Sequence, residues 1–239
     1  MEVMPYRPDL DTHRDLDTGH QPSMGDEPGT GAPPTLEPRP TPGRTPADWH
    51  AGLPTLQGTR VTLRDLRLDD AASLCALLTT DEVTRFISPP PASVDGFKAF
   101  IAWAHRRRGQ GRYACFAVVP HGTDTAVGLF QIHLDDADAG TAEWGFVLGA
   151  PYWGTGLFVD GARLVVAFAF EALGLQRLDA RSTLQNGRGN GALRKIGAVR
   201  DRILRRSFER AGEYFDQRLW TILREDWSWA TMASGHTIH

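Results

Sequence analysis

The segment Pro151–Phe158 contains two glycines, Gly154 and Gly156, and runs into an apolar, helix-like stretch, Val159–Leu173. Glycine has no side chain, so the backbone can turn tightly there and approach a ligand closely. A helix starting at that point presents free N–H groups and the positive end of its dipole. Together these features predict a seat for a phosphate or pyrophosphate. A tight structural turn without a ligand is the alternative interpretation.

Two common phosphate-binding motifs do not fit this loop. A dinucleotide-binding fingerprint needs a glycine three residues after Gly156, where this chain has Val159, and it opens a βαβ unit instead of following a run of strands. A P-loop needs Gly-Lys-Ser or Gly-Lys-Thr, and neither sequence follows Gly154 or Gly156. If the loop binds a phosphate, it does so in a fold of another class.

Composition divides the 239-residue chain into three segments. Residues 1–48 are rich in proline and acidic residues and poor in apolar ones, which predicts a disordered tail with either a partner-binding role or no fixed role. Residues 49–228 carry the apolar patterns of one folded domain, and residues 229–239 form a short C-terminal tail. With 41% hydrophobic residues, the chain can build a substantial core.

Apolar periodicity gives the order of elements in the predicted domain. Strands are predicted at 59–64, 112–119, 125–133, 140–148 and 177–182, with a closing hairpin at 198–207 and 213–223. Helices are predicted after an N-cap at Asp69, over 94–108, after the glycine loop, and between 186 and 196. This order indicates a mixed α/β sheet whose middle strands form an antiparallel meander.

The bulk properties exclude several classes of function. The net charge of −3 argues against nucleic-acid binding. We interpret the arginine runs at 106–108 and 205–206 as solvated surface, with a nucleic-acid-binding module as the alternative that they suggest. No segment approaches a membrane span, and no secretory signal pattern occurs, so we expect a cytoplasmic protein. Cys75 and Cys115 are expected to be reduced core thiols, with a structural disulfide bridge as the alternative. The histidines lack metal-ligand spacing, so no metal is expected.

Beyond these patterns, the chain resembles the GNAT superfamily of acyl-CoA-dependent N-acetyltransferases, and within it the ribosomal-protein N-terminal acetyltransferase branch. The resemblance covers about residues 53–227 and depends on four pieces in the family's order. They are Leu53–Leu66, Ala142–Leu148, Tyr152–Gly156, and Asn186 with Ala192–Ala198. The chain departs from the pattern at Phe158, where many members have alanine.

The resemblance implies a mostly antiparallel, twisted sheet flanked by helices and splayed between the family's fourth and fifth strands. Acetyl-CoA would lie in the gap as a co-substrate. Backbone groups of the fourth strand would pair with its pantetheine arm, those of the loop would cradle its pyrophosphate, and an asparagine on the fifth-strand side would bind it. In this sequence these positions are Phe146, Val147 and Leu148, then Gly154, Thr155, Gly156, Leu157 and Phe158, then Asn186.

A general base would assist acetyl transfer, because the attacking amine must be neutral. Glu143 is the candidate catalytic residue, and an ion pair with an arginine of the sheet is its alternative role. Trp144 and Trp153 would line the acceptor pocket or pack in the core. Phe86–Pro91 and the closing hairpin are the predicted pocket walls.

The acceptor would be an amine on a small molecule or a protein N-terminus, and dimers are common in this branch. A non-catalytic acyl-CoA-binding sensor module is the alternative function, because the same fold can bind the coenzyme without transferring its acyl group.

Overall fold

The computed structural model describes residues 48–134 and 140–227. The tails predicted at 1–48 and 229–239 lie outside these residues, apart from Asp48, so the domain limits stay a prediction. The described residues form a mixed α/β sheet flanked by helices, which confirms the predicted fold class.

Within the described residues, one sheet of eight strands has the order β1-β2-β3-β4-β5-β6-β8-β7. All neighbouring strands are antiparallel except β5 and β6, which are parallel. The strands are β1 (Leu56–Gln57), β2 (Val61–Asp65), β3 (Tyr113–Pro120), β4 (Gly128–Leu134), β5 (Thr141–Leu148), β6 (Arg177–Thr183), β7 (Val199–Arg210) and β8 (Glu213–Leu223). Because the short β1 comes first, the family's fourth and fifth strands are β5 and β6 here.

The helices are α1 (Asp70–Leu78), α2 (Asp81–Thr84), α3 (Val94–Gly109), α4 (Leu157–Glu171) and α5 (Gly187–Lys195). Asp69 takes the predicted N-cap position of α1, but its side chain makes no capping hydrogen bond. Ser93 does cap α3, where its hydroxyl accepts a hydrogen bond from the Gly96 N–H at 3.1 Å. The four-residue helix α2 was not predicted, because it is too short to show helical periodicity.

The sheet is buried on both faces, and strand β3 shows why. Its residues alternate between two hydrophobic clusters, with Phe116 on the side of α4 and Cys115 on the side of α1 and α3. A strand covered on both faces is apolar at nearly every position, as Tyr113–Pro120 is. Cys75 and Cys115 are free thiols, but only Cys115 is a core residue, and burial raises its pKa to about 12, while Cys75 is partly buried.

Candidate functional site

The sheet opens between β5 and β6. The two strands pair over three positions only, Thr141 with Arg177, Ala142 with Leu178, and Glu143 with Asp179. Beyond Glu143, β5 continues to Leu148 along β4, while β6 continues to Thr183 along β8. The splay predicted between the family's fourth and fifth strands is therefore present, and it begins directly after Glu143.

A cavity of about 670 Å³ occupies the opening. Its walls come from α2 and the residues after it, the last part of β5, the glycine loop, the start of α4 and the start of α5. The predicted site residues in its lining are Phe146, Val147, Leu148, Gly154, Gly156, Phe158 and Asn186. Elements that are distant from one another along the chain thus meet at one cavity.

Three predicted site residues are not part of this lining. Thr155 lies in the loop, and its hydroxyl donates a hydrogen bond to the carbonyl oxygen of Tyr152 at 2.7 Å. The Leu157 side chain is buried in the core on the α4 side of the sheet. Glu143 lies at the point where the strands part. Thr155 and Leu157 can therefore reach a ligand in the cavity only through their backbone groups.

The glycine loop leads directly into α4, which begins at Leu157, two residues earlier than predicted. Gly154 and Gly156 have φ angles of 77° and 91°, in the left-handed region that side chains disfavour. Gly156 is the N-cap of α4 and has no side chain to bond the first-turn N–H groups. These donors and the helix dipole make the N-terminus of α4 suitable for an anion.

Asp160, in the first turn of α4, ties that helix to the turn before β2. Its carboxylate accepts hydrogen bonds from the backbone N–H of Arg60 at 2.7 Å and of Val61 at 3.2 Å. The Thr59 hydroxyl donates to it at 3.1 Å. Partial burial acts to raise the pKa of Asp160, but these hydrogen bonds outweigh it and lower the pKa below its usual value. The carboxylate thus stays ionised and fixes the start of α4.

Glu143 forms an ion pair across the start of the opening. Its Oε2 lies 3.1 Å from Nη2 of Arg181, which is on β6 beyond the last residue paired with β5. The pairing with an arginine that the sequence left as an alternative is therefore present. On β4, the residue opposite Glu143 is His133, and burial lowers the pKa of His133 to about 4, with the positive charge of Arg107 as a second cause.

A cluster of aromatic side chains lies on the α4 side of the opening. The rings of Phe146 and Phe158 lie 4.4 Å apart, centroid to centroid, and both line the cavity. Trp144 is buried in the core beside them, which matches the packing alternative of the sequence analysis. Trp153, in contrast, lines the cavity and also packs against both hydrophobic clusters.

Asn186 stands at the start of α5 and is used in part by the protein itself. Its Oδ1 accepts a hydrogen bond from the Gly189 N–H at 2.8 Å, so it acts as the N-cap of α5. Its side chain also lines the cavity. The capping bond holds the amide group in a fixed orientation at the wall formed by β6 and α5.

Sequence reasoning missed several residues at this site. Arg188 places its guanidinium carbon 4.0 Å from the centre of the Trp153 ring, and Lys195 also lines the cavity. Arg60 packs beside Gly156, where a Cβ built on the glycine would lie 3.4 Å from the arginine Cδ. No spacing in the sequence could have shown these contacts, because each joins segments that are distant along the chain.

Neither a metal-binding cluster nor a membrane-spanning helix is present among residues 48–134 and 140–227. Their His, Cys, Asp and Glu side chains form no group of three or more that could hold a metal ion. In the same part of the chain, every helix is too short or too polar to cross a membrane.

A protein family and a named relative both match this chain. Residues 60–199 match the family model described as an acetyltransferase (GNAT) domain. A protein of Bacillus licheniformis called uncharacterized N-acetyltransferase p20 is 25% identical over 175 residues, which cover 73% of this chain and 98% of p20.

Solved structures of similar fold include two with a bound coenzyme. Mycobacterium smegmatis RimJ in complex with CoA-disulfide has a TM-score of 0.65 and 20% identity, over 73% of this chain and 89% of RimJ. The microcin C7 self immunity acetyltransferase MccE in complex with acetyl-CoA and AMP has a TM-score of 0.63 and 16% identity, over 69% of this chain and 93% of MccE.

Proposed function

This chain belongs to the GNAT acetyltransferase family, and from that premise we propose which residues bind acetyl-CoA, which one takes the proton and what is acetylated. Membership confirms the resemblance drawn from the residues and makes the chain an acetyl-CoA-dependent acetyltransferase. Acetyl-CoA supplies a thioester that is already activated toward amines. The protein therefore has to bind and orient the reactants and to remove a proton.

The observation that carries the proposal is the separation of β5 from β6 directly after Glu143. Residues Phe146, Val147 and Leu148 lie on the part of β5 that has no pairing with β6, and all three line the cavity. Backbone groups on an unpaired strand edge need partners. An amide-containing chain such as pantetheine can supply them, and Asn186 would bind it from the opposite wall.

The pyrophosphate would lie on the glycine loop and the N-terminus of α4. Gly154 and Gly156 permit the required backbone conformation, and a side chain at either position would be strained because φ is positive. Backbone N–H groups would come from Thr155, Leu157 and Phe158. Their side chains are used elsewhere: the Thr155 hydroxyl is hydrogen-bonded, Leu157 is buried in the core, and Phe158 packs on Phe146. The residues present fit a pyrophosphate.

Glu143 would be the general base. It would accept, directly or through water, the proton that the amine loses as its nitrogen bonds to the acetyl carbon. The carbon–sulfur bond then breaks, and coenzyme A leaves as a thiolate that takes a proton from water. The ion pair with Arg181 holds the carboxylate where β5 and β6 part. A base is needed most for lysine-like amines, whose pKa is about 10.4, and less for a protein α-amine near 8.

The acceptor would be a primary amine of a small molecule or of a protein N-terminus. Phe86 and Ile87, the first two residues of the predicted wall Phe86–Pro91, line the cavity, while residues 88–91 are outside its lining. The hairpin of β7 and β8 reaches the same wall, because Nη1 of Arg210 donates a hydrogen bond to the carbonyl oxygen of Ile87 at 2.8 Å. These two segments would bound the acceptor end of the cavity.

The coenzyme site is tested by replacing Gly156 with glutamate. The added side chain brings strain, bulk and negative charge to the proposed pyrophosphate seat, so acetyl-CoA should no longer raise the melting temperature. Gly174→Glu is a matched control, because Gly174 also has positive φ (72°), follows the other end of α4, and has no atom within 4 Å of a built Cβ. It should keep the stabilisation. A wild-type protein that millimolar acetyl-CoA does not stabilise would refute the proposal.

A non-catalytic acyl-CoA sensor would pass the binding test, so transfer has to be measured separately. Thiol release from acetyl-CoA is followed with a panel of amines that includes peptides with free N-termini, amino acids, polyamines and aminoglycosides. Amine-dependent thiol release supports the enzyme. Binding without release for every amine in the panel would favour the sensor.

A further inference from the structure

Arg188 and Trp153 form a contact between two walls of the cavity. The guanidinium of Arg188, in the first turn of α5, lies 4.0 Å from the centre of the Trp153 ring, in the loop before α4. Both residues line the cavity. The contact therefore spans from the wall that would hold the pyrophosphate to the wall formed by β6 and α5.

Trp153 is a fixed platform. Its indole Nε1 donates a hydrogen bond to the carbonyl oxygen of Leu148 at 2.9 Å, and its backbone N–H donates to Ala150 at 3.1 Å. Its ring packs against both hydrophobic clusters of the core. An aromatic ring held in this way attracts a cation above its face without having to be ordered first.

Arg188 is exposed and keeps its hydrogen-bonding capacity. Its guanidinium forms no hydrogen bond and no ion pair with any residue in the two described ranges. An arginine offers five N–H donors in one plane, so a face stacked on an indole leaves the edge free for a phosphate. Stacking fixes the plane, which reduces the entropy lost when an anion binds.

The surroundings of Arg188 favour an anion. The N-terminus of α4 and its glycine loop line the same cavity. Lys195 also lines it, and Arg60 packs beside Gly156. The nearest carboxylate on α4, that of Asp160, is occupied by hydrogen bonds from the turn at Thr59–Val61. The charged side chains in the cavity lining are one carboxylate, Glu82 on α2, and three basic groups, those of Arg85, Arg188 and Lys195, so positive charge predominates there.

We propose that Arg188, stacked on Trp153, is a clamp that binds the pyrophosphate of coenzyme A from the side opposite the glycine loop. The proposal rests on the proposed function, because it assigns a second wall to the same coenzyme. Arg188 contacts the ligand and Trp153 positions Arg188. The loop N–H groups and the guanidinium then hold the pyrophosphate between α4 and α5, so that binding joins the two diverging halves of the sheet.

Calorimetric titration with coenzyme A and with 3′-dephospho-coenzyme A tests the clamp. Arg188→Met should weaken binding of both by about 10- to 100-fold, because a charge-assisted hydrogen bond is lost while both ligands keep the pyrophosphate. Arg188→Lys should recover only part of the affinity, since an ammonium cannot stack and bind in one plane. Arg194→Met, which removes a charge from the same helix outside the cavity lining, should change affinity by less than about twofold.

A second set of variants tests the role of Trp153. Trp153→Leu should weaken coenzyme binding in the wild-type background and have a much smaller effect in the Arg188→Met background. A double-mutant cycle separates this coupling from general damage to the cavity, which would weaken binding equally in both backgrounds. Additive losses would show that Trp153 does not act through Arg188.

The outcomes separate this proposal from the proposed function. If wild type binds no coenzyme A, the proposed function fails and the clamp fails with it. If wild type binds and Arg188→Met binds within about twofold of it, only the clamp is overturned. If the loss caused by Arg188→Met disappears with 3′-dephospho-coenzyme A, Arg188 binds the 3′-phosphate and the pyrophosphate assignment is wrong.

Discussion

Two of the arginine–carboxylate pairs that involve strands of the sheet, Arg64–Asp70 and Arg181–Glu143, differ in burial, geometry and surroundings. Arg64 and Asp70 make two short contacts, Nη1 to Oδ2 at 2.8 Å and Nη2 to Oδ1 at 2.7 Å, with side chains 8% and 5% exposed. Arg181 and Glu143 are joined at 3.1 Å, with side chains 44% and 30% exposed. The first pair joins β2 to α1, and the second spans the opening between β5 and β6.

The buried pair is surrounded by further hydrogen bonds. Asp70 also accepts from the Arg67 N–H at 2.7 Å, and Arg64 also donates to the Asp124 carbonyl oxygen at 3.2 Å. The hydrogen bond to Asp70 is the main cause that raises the pKa of Arg64. Removing one partner from such a network leaves a buried, uncompensated charge, so this pair matters for folding.

The half-exposed pair contributes little to folding, because water and ions screen it. Its position is therefore better explained by what it does at the site. The same two side-chain types therefore serve stability in the pair Arg64–Asp70 and, on our proposal, chemistry in the pair Arg181–Glu143. Burial and the number of extra hydrogen bonds distinguish the two cases.

Glu143→Gln should produce the largest effect on activity. Loss of a general base lowers kcat by about 10²- to 10⁴-fold, or about 3–5 kcal/mol in barrier height. The acetyl-CoA affinity and the melting temperature should change little, because the pair that is lost is half exposed. The measurement is steady-state thiol release with an amine from the panel, together with a thermal melt.

Glu171→Gln is the matched control for this variant. Glu171 is an exposed carboxylate at the end of α4 and lies outside the cavity lining. It should keep wild-type kcat. A Glu143→Gln protein with kcat within a few-fold of wild type would show that Glu143 is only an ion-pair partner.

Asp70→Ala should show the reverse behaviour. Leaving the buried Arg64 without its carboxylate should reduce the free energy of unfolding by about 3–5 kcal/mol, as measured by urea denaturation. The fraction that remains folded should keep kcat within a few-fold of wild type, because the pair lies outside the cavity lining.

Asp124→Ala is the control for the buried pair, because the Asp124 side chain is 78% exposed and interacts with the same arginine, Arg64. Its loss should cost less than about 1 kcal/mol. If Asp70→Ala and Asp124→Ala lower the free energy of unfolding by the same amount, the contrast between buried and exposed pairs does not hold in this protein.

The sequence predicted elements much better than it predicted contacts between them. Periodic apolar residues placed α3 within one residue and located every strand except the two-residue β1. The glycine loop was found because it depends on local backbone chemistry, whereas Asn186 was named through the resemblance to the family. An arginine partner for Glu143 was an alternative in the sequence analysis, but its identity as Arg181 was not found, and neither was the pair of Arg188 and Trp153, because tertiary packing alone brings these segments together.

Arg181→Met should have the smallest effect. It tests whether Arg181 only orients the Glu143 carboxylate or itself contacts the reacting groups. If Arg181 only orients Glu143, kcat should fall by about tenfold, or about 1.4 kcal/mol, and KM for acetyl-CoA should stay near the wild-type value. Arg181→Lys keeps a charge that can reach the carboxylate, so it should recover part of kcat. The unfolding free energy should change by less than about 1 kcal/mol in both variants.

A fall in kcat for Arg181→Met as large as that for Glu143→Gln would mean that the arginine itself contacts the reacting groups. A loss of unfolding free energy as large as that for Asp70→Ala would show that the exposed pair stabilises the fold, which would contradict its assignment to the chemistry of the site. The expected result lies between these limits: a moderate, charge-dependent loss of rate in a protein of normal stability. That outcome would separate orientation of the carboxylate from its role in proton transfer.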